Sequence, residues 1–378
     1  MPTILFVMKY PLHRRENLQS KFDGQMDAAR KLGWDAYCIG WDMQGMNLIG
    51  NGRKEFLCVN KYTNLKGYDH TKIFLDLMKA VRIALHRIPV DVLYLRYMPT
   101  FWNAPKTIRL LKNNGGKLVV EYPTYPVAQE NNRFFIRRQV FRYTDHVIGK
   151  IYPMADLFTA IGEDCGGTLH GKPAMNIVNG VYVSALPQHK VRAERHDIRL
   201  LALASMSGWH GYDRLLRSLA AYTGDEKIQI AFVGGDGDGS LAKWKQLAEE
   251  LGLQDRVTFY GPRYGSELEE IIAQCDAGVG SLGMFRYGLQ QGMTLKAREY
   301  LARGLPFISA VADPALPENR GFFLRVANDE TPIDMSEVAA FVKKTKADAK
   351  LSGAMRAYAE ENLSWRGVFT GILERVKP

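Results

Sequence analysis

Short runs of apolar, strand-forming residues alternate with stretches of helical periodicity along the whole chain. The first half contains the strand-like runs TILFVMKY, DAYCIGW, VDVLYLRY and GKLVVEYPT, with helical stretches such as SKFDGQMDAARKLG and APKTIRLLKNN between them. The second half continues from IRLLALASM through YDRLLRSLAAYTG and KIQIAFVGGDGDG to LKAREYLARG and LPFISA. This alternation is typical of parallel sheets covered by helices. It predicts an α/β protein with a doubly wound, Rossmann-like sheet in each half.

The length of the chain and one polar segment predict where the domains divide. A chain of 378 residues is too long for one core of ordinary size, so two domains are expected. Residues 183–197, VSALPQHKVRAERHD, are polar, contain a proline and show no periodicity. We therefore expect a linker at 183–197, one domain at 1–182 and a second domain from residue 198.

The composition indicates a folded globular protein, with 46% hydrophobic and 24% charged residues. The first apolar run lacks a basic flank and a small-residue cleavage site, so we interpret it as a strand rather than a signal peptide. No run approaches the roughly 18 apolar residues of a membrane span. The cysteines lack the close spacing of a zinc or redox site, which predicts buried thiols in a reducing, cytoplasmic compartment. These residues are Cys38, Cys58, Cys165 and Cys275.

The net charge of +10 lies entirely in the first half of the chain. Residues 1–185 contain 25 Lys and Arg against 15 Asp and Glu, whereas residues 186–378 contain 25 of each kind. Such an excess favours an anionic partner, either nucleic acid or a membrane surface. No nucleic-acid module is recognisable, and RFFIRRQVFR at 133–142 fits either a membrane-surface helix or a packed helix. We expect peripheral contact with the inner face of a membrane and no nucleic-acid partner.

Glycines crowd the turn after one predicted strand of the second half. The segment VGGDGDG, residues 233–239, places Gly234 and Gly235 where backbone amides can approach a phosphate. It lacks the spacing of a dinucleotide fingerprint and the lysine of a P-loop, so a plain turn and a ligand-lining loop both remain open. Its Asp-x-Asp spacing lies within the turn rather than at a strand end, so no metal site is expected.

The segment YGLQQGMTLKAREYLARGLPFIS carries the most specific pattern in the chain. A loop that ends at Gly292 leads into the N-terminus of a helix, whose free N–H groups and positive dipole suit a diphosphate. Glu299, Ala302, Gly304 and Pro306 have the spacing of an E-A-x-A-x-G-x-P motif. The segment thereby resembles the donor-binding helix of retaining family 4 glycosyltransferases, which have the GT-B fold of two Rossmann-like domains facing a central cleft.

This resemblance implies a donor site around the helix. Lys296 would supply a cation at the diphosphate, and Glu299 would bind the donor ribose, with a solvated helix face as the alternative for Glu299. Gln291 stands where the family has a glutamate, eight residues before Glu299, and its amide would contact sugar hydroxyls without carrying a negative charge. The residues expected to hold the diphosphate are Gly292, Met293, Thr294 and Leu295.

The segment SMSGWHGYDRLLRSLA resembles the first loop of the family's donor domain, in which an arginine and a Lys-Gly pair reach the donor phosphates. Ser205 stands in place of the arginine, and His210-Gly211 in place of the Lys-Gly pair. His210 fits either a ligand contact or a structural cap. Lys296 is the preferred replacement for the missing charges. The alternatives are Arg298, Arg263 and His210 itself.

Three further segments extend the resemblance over nearly the whole chain. GLQDRVTFYGPR resembles the strand beside the donor base, which adds Arg263 to the expected donor site, where Gly234 and Gly235 of the glycine turn are also expected. EENLSWRGVFTGIL resembles a closing helix that crosses back onto the first domain, so the second domain is expected at 198–360 and the closing helix at 361–378. EYPTYP, with WHGYDRL and LKAREYLARGLP, is similar to a subgroup that assembles bacterial surface polysaccharides.

The first domain is expected to supply the acceptor side of the cleft. VVEYPTYPVAQE ends a predicted strand where the family places a loop beside the sugar, so Glu121 is a candidate catalytic residue. A rigid turn shaped by two prolines is the alternative. NIVNGVYVSAL resembles the turn that ends this domain. The residues expected to contact acceptor or sugar are Lys21, Gly24, Thr124, Tyr125 and Asn179, with a plain helix start as the alternative for the first two.

These resemblances predict a glycosyltransferase of hexosyltransferase type, independent of metals and cofactors. It would move a sugar, with retention, from a UDP- or GDP-linked donor to a saccharide or lipid-linked saccharide in polysaccharide biosynthesis. One alternative is a degenerate nucleotide-sugar-binding protein, because two phosphate cations of the family are missing. The other is a Rossmann oxidoreductase, which requires a Gly-x-Gly-x-x-Gly turn that VMKYPLHRREN lacks.

Overall fold

The computed structural model describes residues 1–13, 18–61, 73–100, 102–126, 143–190 and 197–377. The chain forms two compact units: unit 1 is Met1–Val178 with Trp365–Pro378, and unit 2 is Asn179–Ser364. Unit 2 thus begins before the linker expected at 183–197. Part of that segment packs within unit 2, where the His189 N–H donates to the Arg303 carbonyl oxygen at 2.6 Å.

Unit 1 contains one mixed sheet in the order β4-β3-β2-β1-β5-β6-β7-β9-β8. The pairs β2–β3, β3–β4 and β8–β9 are antiparallel, and the other neighbours are parallel. The antiparallel additions extend the predicted parallel core at both edges. The elements up to residue 178 are β1 (Thr3–Pro11), α1 (Gln19–Lys31), β2 (Asp35–Trp41), β3 (Gly45–Gly50), β4 (Arg53–Val59), α2 (Ile73–Arg87), β5 (Val92–Arg96), α3 (Ala104–Asn113), β6 (Lys117–Tyr125), β7 (Leu157–Gly162), β8 (Thr168–Leu169) and β9 (Lys172–Asn176).

Unit 2 contains a parallel sheet in the order β12-β11-β10-β13-β14-β15. Its elements are β10 (Ile198–Leu203), α4 (Tyr212–Ala221), β11 (Ile228–Val233), α5 (Ser240–Glu250), β12 (Val257–Gly261), α6 (Gly265–Ile272), β13 (Ala277–Val279), α7 (Leu295–Arg303), β14 (Phe307–Ser309), β15 (Phe323–Arg325), α8 (Met335–Ala347) and α9 (Leu351–Asn362). Helix α10 (Trp365–Arg375) follows and belongs to unit 1. The predicted pair of doubly wound α/β sheets is confirmed.

The centre of each sheet is buried on both faces, as continuous apolar strands require. In unit 1, Leu5 and Phe6 of β1 are fully buried. Helix α10 packs beside this strand, because the Phe369 ring lies 5.6 Å from the Phe6 ring and 5.3 Å from the Tyr94 ring. In unit 2, Leu200 and Leu201 of β10 are likewise fully buried.

The strand order of unit 2 places one ligand-binding position by topology alone. Its strands follow the order of nucleotide-binding doubly wound sheets, in which the chain direction across the sheet reverses between the first and fourth strands. Here those strands are β10 and β13, which pair in parallel. Ligands of such sheets bind outside the carboxyl ends of the strands at this switch point.

Within the described ranges, no helix combines the length and the apolar character needed to cross a lipid bilayer. The same ranges contain no group of three His, Cys, Asp or Glu side chains that could hold a metal ion. The four cysteines are buried as free thiols.

Candidate functional site

Four segments of unit 2 line the switch point, and we call them the switch-point site: residues 204–212, 234–239, 280–283 and 291–299. The first and third are joined by backbone hydrogen bonds from Leu282 to His210 (2.9 Å) and from Gly283 to Trp209 (3.2 Å). Gly211 has φ +63°, and a Cβ there would lie 2.6 Å from the Gly283 nitrogen. Only glycine permits this close approach of the two loops.

The glycine turn after β11 packs against the loop after β10. Gly234 has φ +135°, and a Cβ there would lie 1.7 Å from the Ala204 carbonyl oxygen. The Met206 N–H donates to the Gly235 carbonyl oxygen at 2.8 Å. Asp238 accepts a hydrogen bond from the Gly208 N–H at 3.0 Å. The glycine turn therefore positions the loop after β10, and the Asp238 carboxylate stabilises the contact between the turn and that loop.

The N-terminus of α7 is held in place but left open. The Gly292 N–H donates to the Ala312 carbonyl oxygen at 2.8 Å, and the Asn179 amide donates to the Met293 carbonyl oxygen at 2.8 Å. Thr294 is the N-cap residue, yet its side chain makes no capping hydrogen bond. No acidic residue occupies the first turn. The first N–H groups of α7 thus remain available to an anion at the positive end of the helix.

Lys296 and His210 flank the ring of Tyr212 beside this helix end. The Lys296 ammonium lies 3.2 Å from the Tyr212 hydroxyl, and burial lowers the pKa of Lys296 to about 7. The His210 ring stacks on the Tyr212 ring with centroids 5.4 Å apart. Burial, with the nearby charge of Lys296, lowers the pKa of His210 to about 2. This pKa favours a neutral imidazole in the free protein, so Lys296 remains the preferred replacement for the missing positive charges.

The neutral His210 nevertheless has a defined orientation. The Ser207 N–H donates to Nδ1 at 3.1 Å, and the His210 N–H donates to the Ser207 carbonyl oxygen at 2.9 Å. The structural-cap interpretation is thus correct in its geometry. Nδ1 also lies 3.1 Å from the Ser207 carbonyl oxygen, so Ser207 contacts Nδ1 in either tautomer of the ring. His210 therefore caps the loop through Nδ1, and among the described residues we find no hydrogen bond to its Nε2.

Glu299 lies one helical turn after Lys296 and is half-buried, so it is not on a solvated helix face. Burial raises the pKa of the Glu299 carboxyl. The nearby positive charge of Arg303 lowers this pKa, and the negative charge of Glu269 raises it further. Arg303 is already committed to Glu269 through two hydrogen bonds of 2.5 and 2.8 Å. Among the described residues, we find no hydrogen bond to the Glu299 carboxylate. Glu299 is thus an acceptor without a donor beside an open helix end.

Arg298 links Asn179 to Asp313, the two segments that hold the loop before α7. The sequence motif did not indicate this structural role. Arg298 is fully buried; its Nε donates to the Asn179 carbonyl oxygen at 3.0 Å and its Nη2 to Asp313 at 2.8 Å. Asn179 in turn holds Met293, and Ala312, next to Asp313, holds Gly292. Arg298 is therefore not available as a phosphate cation. A charged residue on the same helix face as buried Leu301 and Ala302 is the signal that points to such an ion pair.

The remaining residues expected at the donor lie at the rim of unit 2. Ser205 and Gln291 are exposed, and Gln291 forms an isolated backbone bridge with Ala312. Arg263 donates to the Pro262 carbonyl oxygen and lies 3.5 Å from Glu267. Asn179, expected on the acceptor side, belongs to unit 2 and contacts the loop before α7.

Unit 1 brings Lys21 and Glu121 together in a saturated polar cluster. Glu121 is 1% exposed, and its carboxylate accepts four hydrogen bonds. Burial acts to raise its pKa, but two neighbouring cations outweigh burial and lower the pKa to about 2. Burial lowers the pKa of Lys21 to about 8. The four donors are Lys21 (2.9 Å) and Arg96 (3.0 Å) on Oε1, and Gln25 (3.0 Å) and Tyr94 (2.7 Å) on Oε2.

The other residues of unit 1 that are expected on the acceptor side lie on α1 and at the carboxyl end of β6. Gly24 lies one turn after Lys21 on α1. Thr124 and Tyr125 are half-buried at the carboxyl end of β6, where the Tyr125 carbonyl oxygen accepts from the Glu163 N–H at 3.0 Å. The predicted basic helix at 133–142 lies outside the described residues.

Comparison with known proteins places the switch-point site within a matched segment. Residues 197–342 match the family model of glycosyl transferases group 1. A D-inositol 3-phosphate glycosyltransferase of Stackebrandtia nassauensis is 33% identical over 111 residues, a match that spans 28% of this chain and 24% of that protein. The matched part is therefore about a quarter of the relative's length.

Solved glycosyltransferase structures resemble the chain over nearly its full length. Sucrose-phosphate synthase of Thermosynechococcus elongatus has a TM-score of 0.69 and 14% identity, over 99% of this chain and 98% of that one. HepE of Anabaena, in complex with UDP, has a TM-score of 0.62 and 14% identity, over 99% of both chains. At this level of identity the likeness shows the fold, which is that of GT-B glycosyltransferases.

Proposed function

We propose that the chain is a retaining glycosyltransferase of family 4 that uses a UDP- or GDP-linked sugar and no metal. It transfers a hexose to a saccharide or lipid-linked saccharide during the assembly of a surface glycan. The family match of residues 197–342 and the UDP complex of HepE, a protein of the same fold, support a nucleotide-sugar donor. Retention and the subgroup rest on the sequence resemblance of the α7 segment.

One observation carries the proposal: an open helix end, the half-buried ammonium of Lys296 and the carboxylate of Glu299, which has no donor among the described residues, occur together at the switch point. The first N–H groups of α7 and Lys296 would bind the diphosphate, and His210 would contact the donor through Nε2. Glu299, one turn deeper, would accept hydrogen bonds from the ribose hydroxyls. Gln291 would contact the sugar.

In the proposed mechanism these groups stabilise the leaving diphosphate. As the bond from the anomeric carbon to the donor phosphate breaks, negative charge develops on the phosphate oxygens. Helix-end N–H groups and an ammonium in a site shielded from water stabilise such charge without reorganising. Lys21, Gly24, Thr124 and Tyr125 of unit 1 are proposed for acceptor or sugar contact. The saturated carboxylate of Glu121 would act through Lys21 and Arg96, which it holds.

The test is a screen of UDP-, GDP- and ADP-linked sugars by calorimetry and by donor hydrolysis, with and without EDTA. Wild type should bind at least one donor with equal affinity in EDTA. Glu299→Ala should bind it at least about tenfold more weakly, as expected for a lost charged hydrogen bond. Glu249→Ala, on the exposed face of α5, is the matched control. Equal binding by wild type and Glu299→Ala would refute the role of Glu299, and manganese-dependent activity would refute metal independence.

A degenerate donor-binding protein is the second candidate. It is favoured by the low pKa of His210 and by Ser205, since neither residue supplies the positive charge that the family has at its position. This candidate predicts donor binding without hydrolysis or transfer in the presence of any saccharide acceptor. Turnover of a bound donor excludes it.

A further inference from the structure

Helices α2 and α3 of unit 1 lie side by side and run in the same direction. The Asn103 amide, just before α3, donates to the Leu75 carbonyl oxygen of α2 at 2.9 Å. The Asn114 amide, just after α3, donates to the Leu85 carbonyl oxygen at 3.4 Å. Because both ends of α3 contact the corresponding ends of α2, the two helices present one continuous outer face.

The exposed charges of this outer face are all positive. Within Ile73–Arg87 and Ala104–Asn113 the only acidic residue is Asp76, which is buried and accepts a hydrogen bond from the Lys61 N–H. We call the exposed cations of the two helices, which form no ion pair with any described residue, the basic face: Lys79, Arg82, Lys106 and Arg109. His86 is exposed on the same side of α2.

Apolar side chains accompany these cations. Trp102, immediately before α3, is 63% exposed. Ile83 of α2 and Leu110 of α3 are half-buried and pack against the core of unit 1 from its outer side. Tryptophan prefers the interfacial region of a bilayer, and aliphatic groups beside cations suit the boundary between headgroups and acyl chains.

We propose that the basic face, with Trp102, docks unit 1 onto the surface of an anionic lipid bilayer. The proposal goes beyond the proposed function: it assigns the membrane contact expected from the charge of the first half to described residues outside 133–142. Cations attract an anionic surface within a Debye length, and each Lys or Arg near it strengthens binding about fivefold. A nucleic acid would use the same cations and would stack bases on Trp102, but it gains nothing from the half-buried aliphatic side chains of Ile83 and Leu110.

The experiment measures co-sedimentation of the full chain with phosphatidylcholine vesicles that contain or lack phosphatidylglycerol, at low and high salt and without donor. Wild type should bind the anionic vesicles, and salt should weaken this binding. The triple variant Arg82→Gln, Lys106→Gln, Arg109→Gln should bind roughly a hundredfold more weakly. The matched control is Lys227→Gln, Lys344→Gln, Lys350→Gln, three exposed lysines of unit 2, and should bind like wild type.

Two results would overturn the proposal. One is unchanged vesicle binding by the face variant, or an equal loss in the control, since either outcome removes the basic face from the interaction. The other is loss of single-stranded RNA binding by the face variant with vesicle binding intact, which would make the face a nucleic-acid surface. Trp102→Ala should reduce the binding that persists at high salt, where the apolar contribution remains.

The same variants separate this proposal from the proposed function. Since vesicle binding needs no donor, failure of the donor screen leaves its outcome interpretable. The face variant should keep the donor affinity and the thermal unfolding midpoint of wild type, because its substitutions are exposed and lie outside unit 2. A lowered midpoint would be resolved with Lys106→Gln alone, for which the expected loss of vesicle binding is about fivefold.

Discussion

Glu121 in unit 1 and Glu299 in unit 2 are both carboxylates near the carboxyl ends of parallel strands, but Glu121 is buried, Glu299 is half-buried, and their surroundings are opposite. Glu121 accepts four hydrogen bonds, and its pKa falls to about 2 because two cations outweigh burial. Glu299 accepts none from the described residues, and burial raises its pKa. The Glu121 carboxylate is fully hydrogen-bonded within the protein, whereas the Glu299 carboxylate can still accept hydrogen bonds from a ligand. A half-buried carboxylate that accepts no hydrogen bond from the described residues and lies beside an open helix end is a candidate ligand position.

The largest expected difference between Glu121 and Glu299 is in their contribution to the free energy of unfolding. Glu121→Gln leaves two cations, Lys21 and Arg96, without their counter-charge and should lower the free energy of unfolding by about 3–5 kcal/mol. Glu299→Gln should change it by less than about 0.5 kcal/mol or raise it, because it removes an unpaired charge from a half-buried place. Chemical denaturation of both variants measures the difference. Similar losses in the two would contradict the contrast.

Donor affinity should respond in the opposite order. Glu299→Gln removes the charged acceptor proposed for the ribose and should weaken UDP or GDP binding by at least about tenfold. The specific readout is discrimination: wild type should prefer the ribonucleotide over its 2′,3′-dideoxy analogue, and the variant should bind both equally. Preserved discrimination in the variant would assign the ribose to another residue.

The pH dependence of donor binding should report Lys296. Its pKa of about 7 in the free protein means that it is charged below pH 7 and neutral above. An anionic diphosphate favours the charged form, so donor affinity should fall by up to about tenfold per pH unit above pH 7, and binding at pH 8 should take up a proton. Calorimetry in buffers of different ionisation enthalpy measures the uptake.

Lys296→Arg provides the control for this profile, because its guanidinium stays charged and should flatten the profile above pH 7. His210 should add no step near pH 6.5, since its pKa lies at about 2. A profile that Lys296→Arg leaves unchanged would show that another group titrates.

The smallest effect on donor binding is expected for a substitution of Asn179. It tests whether Asn179 supports the donor site of unit 2 rather than the acceptor side. Asn179→Ala removes the hydrogen bond to the Met293 carbonyl oxygen and should weaken donor binding about fivefold, as for one hydrogen bond. Acceptor KM should stay constant. Asn362→Ala, which removes an exposed amide–carbonyl hydrogen bond elsewhere in unit 2, is the matched control. A change in acceptor KM alone would restore the acceptor-side role expected from the sequence.

Local spacing accounts for what could be predicted. The alternation of apolar runs and helical stretches determines the two doubly wound sheets. The turn at Gly292, the helix that follows and the position of Glu299 one turn after Lys296 lie within eight residues, so the geometry of a single helix relates them. The antiparallel strand β4 was not predicted, because its first half, Arg53–Glu55, is charged and exposed and shows no alternation of apolar and polar residues.

Long-range pairing accounts for what could not be predicted. Glu121 finds its donors on α1 and β5, and only the order of the strands brings those elements together. Arg298 and Asp313 lie on either side of β14, and a charge pattern does not reveal which of several carboxylates an arginine meets. The neutral state of His210 depends on burial and on the nearby Lys296, neither of which is visible in the segment around it.

The glycines of the switch-point site also set how its specificity can change over time. Position 211 faces backbone at 2.6 Å and position 234 at 1.7 Å, so neither can accept a side chain while the loops keep their present paths. Position 235 meets only the Pro262 ring, at 3.4 Å. Selection for a new donor therefore has little freedom in the loop framework, and variation is expected to concentrate at Gly235, Ser205 and Gln291 on the rim.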